Sequence, residues 1–473
     1  MPYSEFDIYE NSINKTDSAA GSVTVFMAKD GDKDVIIADK NPGFKGTDLG
    51  NGKIKAPLSH ENADVLRQLF PFTAPSRVLG KDRSFGLGDR LGIATPGHIK
   101  LFKKYDVYPV FAQQSIRELN LTNRTYEDVL DSATFAVFRE GFKKEWGADG
   151  DHLKTIKDVE YALSLGFSMI TLDCSDHIKT DVTDVNAPAL SKEYADKYLG
   201  KNFDIGEGIT LRFTEAELKT IAGIYSEAIG FAVDMYNRFL KDGTYQADFE
   251  ISIDETSTPT TPLEHYFVAK ELTDNGVSFA TIAPRFCGEF QKGIDYIGDL
   301  SRFEKEIKIH AVIARHFKYK LSIHSGSDKF SVFPFIGRET HSIFHVKTAG
   351  TNWLEAMRVV ALTDPGLYRE IHTYALSAFE EAQKYYHVTT NLANIPGLQT
   401  ISDAALPGLF ENNDARQLIH ITYGLILSRK NADGSFTFKD RLYKLWKQHE
   451  DAYTSALVHH IGKHLEKLGL KEV

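Results

Sequence analysis

An adjacent Asp-His pair and one distant histidine are the residues of this sequence best suited to chemistry. Asp151 and His152 stand next to each other, and His324 ends the apolar run KLSIHS before the polar loop SGSDKF. Neutral imidazoles together with a carboxylate or amide oxygen suit Zn²⁺ or another divalent transition metal. Parallel barrels place catalytic groups beyond the carboxyl ends of their strands. The sequence therefore predicts a metal-assisted site assembled from separate strands.

Each of these residues also has a purely structural interpretation. Asp151 could cap the helix that the pattern predicts after it, and the acids Asp173 and Asp176 are typical of a turn that ends a strand. A single histidine at a strand end is more often hydrogen-bonded to backbone than bound to metal. A functional role is favoured for His324 because the Ser-Gly-Ser-Asp loop after it suits oxyanions or sugar hydroxyls.

Other apolar runs supply further candidates. Side chains alternate between the two faces of a strand, so either Glu250 or Glu255 of FEISIDE is predicted to reach the site, with an ion pair or a loop hydrogen bond as the structural alternative. The segment RFCGEFQKG offers Glu289 and Gln291 as oxygen donors. The residues predicted to contact substrate are Gln113, Arg83, Glu255, His345 and Lys347.

Short β-rich runs alternate with helical patterns along the middle of the chain. The runs are SRVLG (76–80), VYPVFAQQS (107–115), the stretch 167–172, FEISIDE (249–255), FATIAPRF (279–286), KLSIHS (320–325) and IFHVKTAG (343–350). This alternation predicts an α/β fold, most economically a (β/α)8 TIM-type barrel whose eighth strand is inferred. The glycine-rich KDRSFGLGDRLG and the stretch that contains Asp151 and His152 are predicted to be loops.

Three domains follow from this pattern. Residues 1–72 are predicted to be a small N-terminal extension with a β-hairpin, because SVTVFMA and DVIIADK flank an Asp-Gly turn. Residues 73–352 are predicted to form the barrel, with an insertion at about 178–210 that lies over the active face as a lid. Residues 353–473 are predicted to be helices packed on the barrel.

Bulk composition excludes several classes of protein. The chain of 473 residues has a formal net charge of -10, which gives no general attraction to nucleic acid or anionic membranes. Cys174 and Cys287 are its only cysteines, so a disulfide framework is excluded. No apolar run approaches the length of a membrane span, and the acidic N-terminus is unlike a secretory signal, so a cytoplasmic protein is expected. The oligomeric state stays open, with a homo-oligomer among the alternatives.

The order of these motifs is similar to that of class II, metal-dependent aldolases across residues 150–330. The resemblance rests on Asp-His, a helix, GFSMITLDCSDH, ATIAPRFCGEFQKG and LSIHSGSD. It implies that Asp151 is the acid/base and that His152 and His324 bind the metal. Those aldolases have a histidine at the remaining ligand position, where this chain offers Gln291, which we favour, or Glu289.

Nearly the whole chain resembles the tagaturonate epimerase family. The shared strings are FGLGDRLGIATPGH, VFAQQSIRE, GADGDH, LDCSDH, SIDETSTPT, GIDYIGDL, IHSGSDKFSV and FHVKTAGT. The resemblance implies an isomerase of hexuronate catabolism that interconverts D-tagaturonate and D-fructuronate with a divalent cation (Zn, Mn, Ni or Co). We expect Asp151 and Glu250 to be its acid/base groups in a retro-aldol mechanism. The alternatives are an aldolase for a keto sugar acid and an inactive sugar-acid binding protein.

Overall fold

A closed barrel of parallel strands lies at the centre of the computed structural model, which describes residues 6–19 and 21–473. The strands are β1 (Asp7–Ile8), β2 (Asn14–Ser18), β3 (Gly21–Asp30), β4 (Lys33–Ala38), β5 (Thr47–Gly50), β6 (Lys53–Pro57), β7 (Arg83–Leu87), β8 (Tyr108–Ser115), β9 (Gly147–Leu153), β10 (Met169–Asp173), β11 (Phe203–Gly206), β12 (Ile209–Leu211), β13 (Asp248–Ile253), β14 (Thr281–Pro284), β15 (Lys320–Ile323) and β16 (Phe344–Thr348). Strands β7 to β10 and β13 to β16 pair in chain order, and β16 closes on β7. The predicted (β/α)8 barrel is thereby confirmed.

Helices surround the barrel and make up most of the C-terminal part. They are α1 (His60–Leu69), α2 (Thr95–Phe102), α3 (Ile116–Thr122), α4 (Tyr126–Arg139), α5 (Ile156–Ser164), α6 (Lys192–Tyr198), α7 (Glu215–Phe239), α8 (Pro262–Asp274), α9 (Leu300–Phe317), α10 (Phe333–Glu339), α11 (Thr351–Thr363), α12 (Pro365–Ala382), α13 (Asn413–Ile421), α14 (Tyr423–Ser428), α15 (Lys439–Gln448) and α16 (Glu450–Lys467). Within the part of the chain that the structure describes, no helix combines the length and the apolar character that crossing a membrane requires.

The N-terminal strands β1 to β6 form a separate antiparallel sheet. The hairpin of β3 and β4 confirms the prediction made from the Asp-Gly turn, and Gly31 adopts φ +59° at its tip, a conformation that glycine adopts readily. Buried side chains of β3, among them Val25 and Met27, pack in one cluster with Phe135 and Phe138 of α4. The sheet therefore covers one side of the barrel and lies outside its mouth.

The segment at 178–210 does not lie where a lid would. Tyr198 of α6 packs against Phe267 of α8 with ring centroids 5.3 Å apart, and its hydroxyl donates to Glu271 near the end of the same helix. Glu207 forms an ion pair with Arg315 of α9 at 2.7 Å. These aromatic and ionic contacts hold the segment against the outer helices, so its prediction as a cover of the active face is wrong.

The C-terminal helices build a second core beside the barrel. Helices α11 to α15 share one buried cluster around Trp353 and Trp446. The last helix, α16, returns to the barrel core through Ile461 and Leu465. His460 of α16 also lies 2.6 Å from a carboxylate oxygen of Asp328, in the loop after β15. The end of the chain is thus attached to a loop at the barrel mouth.

The first barrel strand lies later in the sequence than predicted. Residues 76–80 form no strand. Val78 and Leu79 are instead buried in one cluster with Val110 and Met169, at the end of the barrel where the strands begin. The strand is instead β7, inside the segment predicted as a loop. A Cβ at Gly86 would lie 1.9 Å from Gln113 Oε1, so a larger residue here would displace the Gln113 side chain where it crosses the strand. Close packing, rather than a turn, explains this glycine.

The eighth strand is β9, which contains the Asp-His pair. Its sequence GADGDHL is poor in β-branched residues and rich in Gly and Asp, which are depleted in strands. Two of its glycines meet close neighbours, since a Cβ at Gly150 would lie 2.9 Å from Ala162 and one at Gly147 would lie 2.8 Å from Val78. The prediction of a loop at this position is wrong because packing space, not intrinsic propensity, selects these residues.

Candidate active site

Polar side chains from several strands meet at the carboxyl end of the barrel. Asp151 and His152 lie near the end of β9, His324 directly follows β15, and Lys347 lies near the end of β16. These four residues border one cavity together with Asp254, which directly follows β13. Because all eight strands are parallel, residues far apart in sequence reach the same rim. The structure therefore brings together the Asp-His pair and the distant histidine.

A β-bulge explains how two consecutive residues can both face the cavity. Strand β9 pairs Gly150 with Ile170 and Leu153 with Leu172, so Asp151 and His152 together oppose only Thr171. His152 has φ +55°, a left-handed conformation that is uncommon for a residue with a side chain. The bulge breaks the alternation of faces. As a result, His152 Nδ1 lies 2.7 Å from Asp151 Oδ1.

His324 is held between two carboxylates. Its Nδ1 lies 3.0 Å from Asp254 Oδ1, and its Nε2 lies 2.8 Å from Glu250 Oε1. The ring centroid of His324 is 5.0 Å from that of His152. Ligand atoms of His152, Asp254 and His324 all lie within 4.8 Å of one another. Two imidazoles and one carboxylate thus face a common point.

The ammonium group of Lys347 lies among the acids on the barrel axis. Its Nζ is 2.7 Å from Asp149, 3.2 Å from Glu250 and in direct contact with Asp151. Lys347 also donates to Thr171 Oγ1 at 2.7 Å. Together with Asp254, four carboxylates surround one lysine and two histidines. With both imidazoles neutral, as metal binding requires, the carboxylates outnumber the one ammonium, and a bound cation would offset the difference.

The pKa values of these groups follow from burial opposed by ion pairing. Burial favours neutral carboxyls, but the ammonium of Lys347 outweighs it and holds the pKa of Asp151 and that of Glu250 well below their usual range. Burial prevails at Asp149 and raises its pKa to about 7. Although burial opposes it, Asp254 and Glu250 raise the pKa of His324 to about 10. Asp151 is therefore ionised at neutral pH.

Several residues predicted from the sequence lie in or near the cavity wall. Gln113 borders the cavity, and its amide donates to Thr348 O at 3.3 Å. Glu255 borders it as well, with Oε1 3.9 Å from His152 Nε2. Gln291 also borders it, but its carbonyl oxygen accepts hydrogen bonds from Gln417 and from the backbone and hydroxyl of Thr389, each at 3.0 Å.

Glu289, the alternative to Gln291, lies farther out. Its carboxylate accepts a hydrogen bond from Gln291 Nε2 at 3.2 Å and lies 3.6 Å from His387, and it borders an adjoining chamber rather than the cavity. The structure thus leaves both predicted oxygen donors of this segment engaged with other protein groups.

Two predicted substrate contacts lie away from the cavity. Arg83 begins β7, at the opposite end of the barrel, and pairs with Asp106 at 2.9 Å. His345 is fully buried in the barrel interior with Nδ1 2.9 Å from Ser84, and burial lowers its pKa to about 3. Arg83 was predicted to contact substrate because its segment resembles a loop at the barrel mouth, whereas it begins a strand. His345 is the second residue of β16, and only the last residues of a strand reach the rim.

Three residues of the site were not singled out in the sequence. Asp254 is four residues after Glu250 and shares its side of the strand, so strand alternation could have identified it. Asp149 likewise stands two residues before Asp151. Lys292 follows Gln291 in a loop that has no repeating pattern, so nothing in the sequence indicated its position at the cavity.

Known proteins match this chain over nearly its full length. The family model described as tagaturonate epimerase matches residues 9–468. The tagaturonate/fructuronate epimerase of Thermotoga maritima is 43% identical over 479 residues, which cover 98% of this chain and 97% of that protein. The glycerol-complexed crystal structure of fructuronate-tagaturonate epimerase UxaE from Cohnella laeviribosi is 47% identical, with a TM-score of 0.94 over 99% of this chain and 98% of that one. Its native crystal structure gives the same identity and TM-score over 100% and 98%.

Replacing Lys347 should make the stability of the protein depend on pH in a new way. In Lys347→Met, Asp149, Asp151 and Glu250 lose their shared cation, and we expect a loss of about 3–5 kcal/mol in the free energy of unfolding at pH 8. Without the ammonium, burial raises the pKa of these carboxyls above their unfolded values, so stability should return as the pH falls to 5 and they take up protons.

Urea unfolding of wild type and variant at both pH values measures this effect. Lys308→Met, which removes an exposed lysine on α9, is the control and should change stability by less than about 0.5 kcal/mol. A Lys347→Met chain that is equally destabilised at pH 8 and pH 5 would contradict the expectation.

Proposed function

This chain belongs to the tagaturonate epimerase family, and from that premise we infer that it is a hexuronate epimerase that interconverts D-tagaturonate and D-fructuronate. The observation that carries the inference is that the match to relatives of that name covers nearly the entire chain. The local geometry supports it: an ionised Asp151 and a pair of imidazoles face one cavity.

The two ketohexuronates differ at a carbon that is β to the ketone. The carbonyl group does not acidify the C–H bond of that carbon, so enolisation cannot invert it. We therefore propose reversible cleavage of the bond between the α and β carbons. The β-hydroxyl loses its proton, its oxygen becomes an aldehyde, and the electron pair of the broken bond moves to the ketone-bearing half. Rotation of the aldehyde followed by the reverse step gives the epimer.

The donor atoms in the cavity fit a divalent transition metal such as Zn, Mn, Ni or Co. His152 and His324 supply imidazole nitrogens, and the surplus of carboxylates around them favours a cation. We propose Asp254 as the third ligand, in place of Gln291, whose carbonyl oxygen already accepts three hydrogen bonds. When bound there, such a cation supplies Lewis acidity toward the ketone and an adjacent hydroxyl oxygen.

Asp151 is suited to move the proton of the β-hydroxyl. It borders the cavity, and the ion pair with Lys347 keeps it ionised, so it can accept the proton and return it after rotation. Glu250 is fully buried and bonded to His324 and to Thr281, at 2.8 Å and 2.6 Å, so we assign it the positioning of His324 rather than contact with substrate. Lys347 fixes the orientation of both acids.

An aldolase that releases its two halves is the alternative within the same chemistry. Retention is favoured because the C-terminal part of the chain reaches the cavity wall, where Thr389 and Gln417 bond to Gln291. A protein that only binds sugar acids would have no need of the ionised Asp151 beside the imidazole pair. Product analysis after incubation with each ketohexuronate separates the three readings.

Asp151→Asn should abolish epimerisation while leaving metal content unchanged. Loss of the base is expected to lower kcat by about 10²–10⁴-fold, since the amide cannot accept the hydroxyl proton. Turnover of each ketohexuronate by metal-loaded enzyme, followed by chromatography, measures the loss in kcat.

The matched control is Asp149→Asn. Asp149 is a buried acid of the same cluster that does not border the cavity, and its pKa of about 7 leaves it partly neutral already. Equal losses in both variants would argue against Asp151 as the base.

Epimerisation in D₂O should leave the inverted carbon free of deuterium. Cleavage of the carbon–carbon bond inverts this carbon without removing its hydrogen, whereas a deprotonation mechanism exchanges that hydrogen with solvent. Proton NMR and mass spectrometry of the product, at partial conversion, distinguish the two. Deuterium at the inverted carbon in step with turnover would exclude the cleavage mechanism.

Metal analysis should separate the two candidates for the third ligand. We expect Asp254→Asn to weaken metal binding by at least about 10- to 100-fold, the loss typical of residues that only orient a ligand, and Gln291→Ala to leave it nearly unchanged. His152→Ala and His324→Ala should lose the metal. Titration of the purified apo proteins with Zn²⁺ or Mn²⁺, followed by calorimetry, gives the affinities. The opposite order of the Asp254 and Gln291 variants would restore Gln291 as the ligand.

A further inference from the structure

The cavity opens into a second chamber on the side away from the barrel axis. His324, Asp254 and Ser325 border both spaces, and so do Lys292 and Arg117. The chamber is also bordered by the acids Glu255 and Glu289. A substrate that spans the cleft meets Lys292 and Arg117 where the two spaces join.

Within the described part of the chain, Lys292 differs from Lys347 in having no carboxylate in ion-pair contact. Its ammonium donates to Ser325 Oγ at 3.1 Å, and within residues 6–19 and 21–473 no carboxylate lies within ion-pair distance of it. Lys347, by contrast, contacts three carboxylates. Burial, followed by the charge of Arg117, lowers the pKa of Lys292. An anion that enters the chamber would compensate this unpaired cation.

The backbone around Lys292 is held in place by the C-terminal helices. Gln417 of α13 donates to Lys292 O at 3.2 Å, and Arg416 donates to Gly293 O at 2.7 Å. Lys329 donates to Gln291 O at 2.8 Å. Fixed backbone contacts reduce the entropy lost when a side chain is ordered against a ligand. The ammonium of Lys292 is thus presented on a preorganised loop.

Arg117 faces the same chamber from α3. Its guanidinium lies over the ring of Tyr386, 4.9 Å from the centroid, and 4.0 Å from a carboxylate oxygen of Glu255. The side chain is exposed, so the ring rather than a buried salt bridge limits its motion. It is available as a second, more mobile cation for the same anion.

We propose that Lys292, assisted by Arg117, binds the carboxylate of the ketohexuronate and holds the carboxylate-bearing half in the site while the carbon–carbon bond is open. This inference rests on the proposed function, because only a substrate with a carboxylate needs the subsite. Ser325, the hydroxyl partner of Lys292, directly follows His324. The ammonium of Lys292 therefore contacts the residue next to His324, a proposed metal ligand. In the substrate, the carboxylate is likewise close to the reacting centre, two carbons from the carbon that is inverted.

The position of this anchor also explains how the fragment can turn without leaving. In the cleavage proposed above, the aldehyde half keeps the carboxylate, and the other half keeps the ketone carbon. An ion pair at the carboxylate restrains translation while leaving the bonds between carboxylate and aldehyde free to rotate. The aldehyde can then present its other face to the ketone-bearing half.

The test compares Lys292→Met, Lys292→Arg and Arg117→Met with wild type and with Lys308→Met, a control that removes an exposed lysine outside the site. We expect KM for both ketohexuronates to rise by about 10- to 100-fold in Lys292→Met, with a smaller rise in Arg117→Met. Lys292→Arg, which keeps the charge, should recover most of the affinity, and Lys308→Met should match wild type. Carbonyl trapping with a hydrazine reagent, followed by mass spectrometry, should detect free aldehyde fragment from Lys292→Met and none from wild type.

The outcomes distinguish this inference from the function on which it rests. Wild-type enzyme that does not interconvert the two ketohexuronates would overturn both. Wild-type epimerisation with an unchanged KM in Lys292→Met, or with a fall in kcat alone and no released aldehyde, would overturn the carboxylate subsite and leave the epimerase intact. Should Lys292→Met fail to fold, an unchanged KM in Arg117→Met together with full activity of the neutral variant Lys292→Gln would also overturn it.

Discussion

The structure depends on one ion-pair cluster at the axis of the barrel. Lys347 of β16 contacts Asp149 and Asp151 of β9 and Glu250 of β13, in a space from which water is nearly excluded. Burial alone would neutralise these acids, so the lysine decides which of them stay charged. The cluster is therefore both part of the barrel core and the source of the base. When His152 and His324 are neutral, as metal binding requires, one ammonium cannot balance all the acids, and the remaining negative charge favours a cation between the two imidazoles.

The bulge in β9 converts this charged core into a site. A regular strand would direct Asp151 and His152 to opposite faces, and only one of them could reach the cavity. The left-handed conformation of His152 places both side chains at the rim. Strain of this kind costs roughly 1–3 kcal/mol and persists only where surrounding contacts compensate it. Here the hydrogen bond from His152 to Asp151 and the pairing of β9 with both neighbours provide that compensation.

Sequence patterns predicted the barrel and most residues at its rim, and the failures have physical causes. Apolar β-rich runs marked six of the barrel strands, because those strands are buried on both faces. β7 and β9 escaped detection since their glycines serve close packing, at Gly86 beneath Gln113 and at Gly150 beside Ala162. Asp151, His152 and His324 were predictable from residue type and resemblance. The position of Lys292 depends on how a loop folds at the mouth, and the position of 178–210 depends on aromatic packing that no periodicity encodes.

The attachment of α16 to the loop after β15 has a consequence for the order of synthesis. Asp328 accepts a hydrogen bond from His460 and donates its backbone amide to His464 at 3.0 Å, more than a hundred residues later in the chain. When every barrel strand has emerged from the ribosome, His460 and His464, which bond to this loop, have yet to emerge. The nascent barrel can close on its own core, but the mouth acquires its final shape only when the last helix emerges. Loss of a short C-terminal stretch would therefore reach the catalytic rim directly.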